Sequence, residues 1–165
     1  IVFADGFPTK TGRARIVAAD VLPSAEVPDD EYPLVLITGR QLEHWHTGAM
    51  TRRALVLDEL EPAPTASLHP ATLGRYGVSA GQPVRVTTRR GTIELTARAD
   101  RAIQEGVIFI PFAYVEAAAN VLTNPQLDPI GKIPEYKYCA VKIEAAHDHE
   151  QVRKQSGLNV TATGL

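Results

Sequence analysis

Cysteine is all but missing from this chain, with Cys139 the only one in 165 residues. That excludes a disulfide framework, a thiolate metal cluster and a Cys-x-x-Cys redox pair within the chain, and it fits a reducing compartment. Long apolar runs are also missing. No stretch approaches the roughly 20 residues of a membrane span, and no signal-peptide pattern opens the sequence. Nor is there an excess of one charge: 17 Lys and Arg stand against 19 Asp and Glu. A nucleic-acid scaffold or a membrane-surface coat would need a basic excess, so neither is indicated. There is no internal repeat, no low-complexity tract and no glycine-rich nucleotide loop of either standard kind. A hydrophobic content of 44% over this length is enough for one domain with a real core. The chain opens at Ile1 rather than at a methionine, and is read as a piece of something longer.

The charges that are present are unevenly spread. From Arg40 to Arg101 there are nine arginines and no lysine. A guanidinium is a planar fork of donors, so this bias favours a bidentate, phosphate-like or carboxylate partner. The densest stretch is Thr38 to Arg53, which gathers three arginines, two histidines, the only Trp and the only Met. That is too polar for a core element and too apolar for a linker. Thr38-Gly39, directly after the apolar run Leu34 to Ile37, predicts a sharp turn at a strand end, with Gly39 at positive φ and room for a ligand close to the main chain. Arg40 then offers phosphate donors, and Thr38, Thr47, Thr51, His44 and His46 offer neutral ones.

In chain order, residues 1–18 predict a hairpin or edge strand around the turn Pro8 to Gly12, and Asp20 to Tyr32, with five acidic residues, reads as a surface linker. Leu34 to Thr38 and Val107 to Ile110 read as strands buried on both faces. A helical turn is expected between Arg53 and Pro62, a short strand at Ala66 to His69, and a two-turn helix at Pro70 to Gly77. Alternating residues make Pro83 to Thr88 and Thr92 to Ala97 a hairpin joined by Arg89-Arg90-Gly91. Glu116 to Asn120 is helix-prone, Thr123 to Pro134 is turn chemistry, and Tyr138 to Ile143 is a last strand. From His147 the tail is polar and expected to be mobile. Six short strands with irregular connections predict a mainly β fold, a closed barrel with short peripheral helices. The units read are a linking segment at 1–30, a barrel at 31–146 and the tail at 147–165.

An ordered set of motifs carries a resemblance. The segments are Tyr32 to Arg40, His44-Trp-His-Thr-Gly-Ala-Met-Thr-Arg-Arg53, Arg89 to Gly91, Gly106 to Phe112, Ala117 to Asn124 and Pro134 to Val141. Together they resemble the C-terminal molybdopterin-dinucleotide-binding domain of the dimethyl-sulfoxide-reductase superfamily over nearly all of residues 30–144, and residues 8–15 resemble the link that leads into it. The resemblance implies a six-stranded double-psi β-barrel. The motif at His44 to Arg53 is similar to both formate dehydrogenases and periplasmic-type nitrate reductases. The segments Glu116 to Pro125 and Asp128 to Lys137 are more similar to formate dehydrogenase.

What the resemblance implies is therefore part of a formate dehydrogenase alpha subunit, with the equivalent nitrate reductase domain as the alternative. The cofactor implied is a bis-molybdopterin guanine dinucleotide carrying molybdenum or tungsten. The metal ligand and the iron–sulfur cluster belong to upstream domains of the same polypeptide, with electron-transfer subunits as further partners and the cytoplasm as the expected location. The cofactor-holding residues implied are Thr38, Gly39, Arg40, Gln41, His44, Trp45, His46, Thr47, Asn120 and Lys137, with Phe112 toward the substrate. The residues themselves also admit other readings: Phe112 as a core aromatic, Asn120 as a helix cap, Trp45 as a packing residue, and the whole as a cofactor-free adaptor barrel for peptides. Cys139 reads as a small buried hydrophobe.

Overall fold

A computed structural model describes residues 2–135 and 137–146. The expected tail from His147 lies outside the described residues. Six strands, β1 (Leu34–Gly39), β2 (Thr65–Leu68), β3 (Pro83–Thr87), β4 (Thr92–Ala99), β5 (Val107–Pro111) and β6 (Cys139–Ala145), close into a barrel in the order β1-β5-β2-β4-β3-β6. The pairs β1/β5 and β2/β4 are parallel, and the remaining pairs are antiparallel. This is the mainly β, six-stranded double-psi barrel that the sequence implied.

The core follows from the two-residue period of the strands. Leu34, Leu36, Ala66, Leu68, Val84, Val86, Leu95, Ala97, Ile108, Ile110, Val141 and Ile143 all point inward and are buried. In β1, and in β5 up to its final residue, the alternate residues are only half-buried. The expectation that these two strands are sealed on both faces is thus corrected, because a barrel wall has one interior and one exterior. Cys139 is fully buried, as read, and its sulfur accepts the Asn124 backbone N–H at 3.2 Å.

Strand direction decides which connections share an end. β1, β3 and β5 finish at one rim, where β2, β4 and β6 begin. Residues 40–64, 88–91 and 112–138 therefore all emerge there. The opposite end carries α2 (Pro70–Arg75), which starts on Pro70 with His69 Nδ1 accepting the Ala71 N–H at 3.2 Å, and is followed by Gly77 at φ 65°. The expected helical turn near Arg53 is α1 (Leu55–Leu60), but Glu116 to Asn120 is not α-helical. Two 3-10 turns, Val115–Ala117 and Ala119–Val121, take its place, since so short a run cannot nucleate an α-helix against the packing of its neighbours.

The hairpin expected before residue 18 is absent. Residues 7–12 do form a turn, closed by the Phe7 N–H on the Gly12 carbonyl at 3.1 Å, but no strand precedes β1 among the described residues. The linker that follows is tied down at Glu26. Its carboxylate pairs with Arg90, lies 3.4 Å from Arg89, and accepts the Ala140 N–H at 2.7 Å. Nearby, Asp29 pairs with Arg89, whose guanidinium covers the Tyr32 ring at 4.5 Å.

Burial would raise the Glu26 pKa, but the Arg90 hydrogen bond, the Ala140 N–H and the charges of Arg90 and Arg89 outweigh it and hold the carboxyl below its usual range. A depressed folded-state pKa means that this stabilisation is full above the unfolded-state value and is lost as pH falls through the folded one. Glu26→Gln is expected to cost about 1–3 kcal/mol at neutral pH. It should also flatten the acid limb of a urea-unfolding series, and an acid limb as steep as that of the unaltered protein would rule Glu26 out as a source of it.

Candidate functional site

The site is built from the rim outward. β1 delivers Thr38 to the buried face and ends at Gly39, whose carbonyl accepts the Phe112 N–H at 3.2 Å. Gly39 is not among the residues at positive φ, so the turn expected there is corrected. Glycine is required for a different reason: an added Cβ would lie 2.6 Å from Cε2 of Phe109. The left-handed backbone comes later, at His46 (φ 50°) and Gly48 (φ 72°). A Cβ on Gly48 would meet the Ala113 carbonyl oxygen at 2.6 Å, which presses this loop onto the one after β5.

His44 sits under the loop and not on its surface. It is buried, edge-on to Tyr114 with ring centroids 5.5 Å apart. Its Nε2 lies 2.8 Å from the Glu61 carbonyl, which can only accept, so Nε2 carries the proton; Nδ1 faces Thr51 Oγ1 at 3.4 Å. Thr51 Oγ1 in turn accepts the Trp45 N–H at 2.9 Å. Both imidazole nitrogens are therefore engaged within the chain, which holds His44 beneath the loop. Tyr114 donates to the same Glu61 carbonyl at 2.8 Å, and burial pushes its hydroxyl pKa up.

Arg52 binds the two long loops together. Its guanidinium takes Asp58 at 3.1 Å, Glu116 at 2.6 Å and the Pro62 carbonyl at 3.3 Å, and lies 4.8 Å over the Tyr114 ring. Arg90 does the same for the hairpin, donating to the Leu122 carbonyl at 3.0 Å while Thr88 Oγ1 reaches that oxygen at 2.9 Å. Of the nine arginines between Arg40 and Arg101, six pair with carboxylates among the described residues: Arg52, Arg75, Arg85, Arg89, Arg90 and Arg98. The bias toward arginine is thus mostly explained by partners inside the chain. Arg40 is exposed and makes no ion pair among the described residues.

Two openings result. One, of about 590 Å³, is lined by Arg40, Gln41, Leu42, His44, Trp45 and His46, with Thr51 and Leu57 among its walls. The other, of about 460 Å³, is lined by Thr47, Phe112, Asn120, Thr123, Asn124 and Pro134. His46 connects them, with its ring centroid 4.5 Å from that of Trp45 and 6.4 Å from that of Phe112. Trp45 is 61% exposed, which corrects the reading of it as a packing residue. Phe112 packs against the core on one side and lines the opening on the other. Asn120 is exposed in the turn Ala119–Val121 and makes no cap hydrogen bond there. Lys137 is exposed on the segment between Pro134 and β6 and lines neither opening.

Asn124 was visible in the sequence only as part of an Asn-Pro turn. It is buried, donates to the Tyr138 carbonyl at 3.0 Å and accepts the Gln126 N–H at 3.0 Å, so it fixes one wall of the second opening. The internal roles of Arg52, Glu61 and Tyr114 had no sequence signal, because each depends on a contact across the fold.

The molydopterin dinucleotide binding domain family matches residues 34–140. The chain is 45% identical over 144 residues to the F420-dependent formate dehydrogenase subunit alpha of Methanocaldococcus jannaschii, covering 87% of this chain and 21% of that protein. It is 44% identical over 137 residues to the F420-dependent formate dehydrogenase 1 subunit alpha of Methanococcus maripaludis, covering 82% and 20%. Acetylene hydratase from Pelobacter acetylenicus matches in structure with a TM-score of 0.62 at 25% identity, covering 70% of this chain and 19% of that one. The chain spans about a fifth of the length of the curated relatives it matches.

Gly39 gives the sharpest local test. Gly39→Ala is expected to destabilise the barrel by about 1–3 kcal/mol through overpacking against Phe109. Phe109→Leu in the same chain should recover part of that loss in urea-unfolding midpoints. If the alanine variant unfolds at the unaltered midpoint, the steric account of this glycine fails.

Proposed function

The chain belongs to the molydopterin dinucleotide binding domain family, and from that premise we propose that it is the cofactor-holding domain of a formate dehydrogenase alpha subunit. The reaction of the whole enzyme takes formate to carbon dioxide, releasing one proton and two electrons. The observation that carries the reading is the convergence, at one barrel rim, of two adjoining openings bordered by residues from loops more than 60 positions apart, His46 and Thr47 on one and Phe112 and Asn120 on the other.

The donor set of these loops fits a ligand rich in phosphate and carbonyl oxygen. Gln41 Nε2 is buried with no hydrogen-bond partner among the described residues, a state that ordinarily calls for an acceptor. Arg40 supplies an exposed cation with no ion pair among the described residues, and the Glu43 carboxylate lines the same opening. On this reading Arg40 and Gln41 take the cofactor's oxygens, and Trp45 and His46 offer ring surface. Thr47, Asn120 and Lys137 add polar contacts, and Phe112 faces the substrate side. Thr38, Gly39 and His44 act from beneath by shaping the loop. The cofactor proposed is a bis-molybdopterin guanine dinucleotide with molybdenum or tungsten, whose metal accepts the two electrons of formate when bound.

The remaining parts of the proposal lie outside this chain. The iron–sulfur cluster is assigned to other domains of the same polypeptide, which with electron-transfer subunits are the partners. The cytoplasm is the proposed location, in keeping with a lone, buried cysteine; no helix among the described residues is long and apolar enough to cross a membrane. The names of the two archaeal relatives favour formate over nitrate as substrate.

The test uses the full-length alpha subunit. A charge-assisted hydrogen bond is worth about 1.5–3 kcal/mol, so Arg40→Ala is expected to lower pterin and metal content while leaving the far-UV circular dichroism spectrum of the cofactor-free subunit unchanged. His44→Ala should do the reverse first, lowering the melting temperature because it empties a buried, doubly bonded position. Full cofactor content in the Arg40 variant would remove Arg40 from the site.

A further inference from the structure

The second opening takes much of its wall from one short segment, residues 119–124, which supplies Asn120, Thr123 and Asn124. The turn that carries Asn120 is closed by two hydrogen bonds of its own, from the Val121 N–H to the Ala118 carbonyl and from the Leu122 N–H to the Ala119 carbonyl, both at 3.0 Å. So short a 3-10 turn does not persist unaided. It is seated from behind on the hairpin of β3 and β4. The carbonyl of Leu122, a fully buried residue, accepts Thr88 Oγ1 at 2.9 Å, Arg90 Nη2 at 3.0 Å and Arg90 Nε at 3.3 Å, more donors than it has lone pairs. Gly91 lets the two backbones meet: an added Cβ would lie 2.5 Å from Cγ1 of Val121 and 3.3 Å from its carbonyl oxygen.

Arg90 is itself fixed from the other side. Both of its terminal nitrogens pair with Glu26, whose carboxylate balances the charge of a guanidinium set against a neutral carbonyl. β3 pairs with β6 only as far as Thr87 and Lys142, and two residues beyond, Glu26 accepts the Ala140 N–H at 2.7 Å. The carboxylate therefore ties Arg90 to the barrel wall. We infer that Arg90 is a positioning residue: through the Leu122 carbonyl it sets where Asn120 stands on the second opening, and so how tightly that opening holds the cofactor. This rests on the reading of the second opening as part of the cofactor site. Neither Arg90 nor Glu26 is among the residues that line the opening, so the guanidinium acts through the turn and not on the ligand. One planar fork reaches Glu26 and the carbonyl together, a geometry that lysine's point charge does not reproduce.

The test uses the cofactor-loaded full-length alpha subunit carrying Arg90→Gln, Asn120→Ala or both, with pterin release on dilution followed by the fluorescence of the oxidised pterin. Each single variant is expected to release pterin about tenfold faster, as the loss of one hydrogen bond implies. The double variant should release it no faster than Asn120→Ala alone, because Arg90 acts through Asn120; a merely structural arginine would give additive effects. In the cofactor-free subunit, amide hydrogen exchange over residues 118–124 should be about tenfold faster in Arg90→Gln and unaltered in Asn120→Ala, with the six strands equally protected in both. Thr88→Val, which removes the hydroxyl donor to the same carbonyl, should move both readouts the same way and takes the place of Arg90→Gln if that variant does not fold. Additive release rates, or unaltered exchange over residues 118–124 in Arg90→Gln, would overturn the inference. If Asn120→Ala keeps its pterin, the cofactor reading of the opening fails and takes this inference with it. If Asn120→Ala loses pterin and Arg90→Gln does not, this inference alone fails.

Discussion

Two parallel strand pairs, β1 with β5 and β2 with β4, constrain nearly everything else in this protein. In a six-stranded ring the remaining antiparallel pairs then fix every direction, so alternate connections must leave at the same end. The long connections are those between β1 and β2, residues 40–64, and between β5 and β6, residues 112–138. Both long connections fall on one rim, and they contain most of the polar, aromatic and glycine-rich segments that looked out of place in the sequence. The opposite rim has α2 and a short polar connection, and it serves stability.

Long loops are costly to order, and the protein meets that cost with internal charge pairs. Arg52 ties residues 58 and 116 together, and Arg90 holds Leu122 while Glu26 holds Arg90. Each of these is partly buried and multiply bonded, which is where an ion pair contributes most to specifying one arrangement. Arginine is used because one planar fork can satisfy two or three acceptors at once, which lysine's point charge cannot do with the same geometry. The loop from Gln41 to Arg53 is held by its own contacts, from His44, Thr51 and Arg52 to Glu61 and Glu116.

Much of the barrel was legible because strand periodicity is local. The hairpin of β3 and β4 and the strands at Leu34, Val107 and Cys139 all read from alternation or apolar runs. The same logic failed at residues 1–18, where short apolar pieces met no partner edge in a ring that was already closed. It also failed for Gly39, since a ring packed against a missing Cβ leaves no mark distinguishable from a turn. For the candidate site, the family motifs pointed to loops that the fold brings to one rim, but the internal contacts of each residue were not legible in them. His44 and Trp45 are adjacent in sequence and opposite in burial, because the Glu61 carbonyl, Thr51 and the Tyr114 ring hold the His44 side chain beneath the loop.

The distinction that matters for function is between polar groups the fold has used and those it has left over. His44, Arg52, Glu61, Tyr114 and Asn124 are satisfied by one another or by backbone, so they make the rim rigid and cannot at the same time serve a ligand. Arg40 and the Gln41 amide stand beside them without described partners. A rigid support carrying a few unsatisfied donors is what preorganised recognition requires, because the ordering entropy is lost on folding and not again on binding.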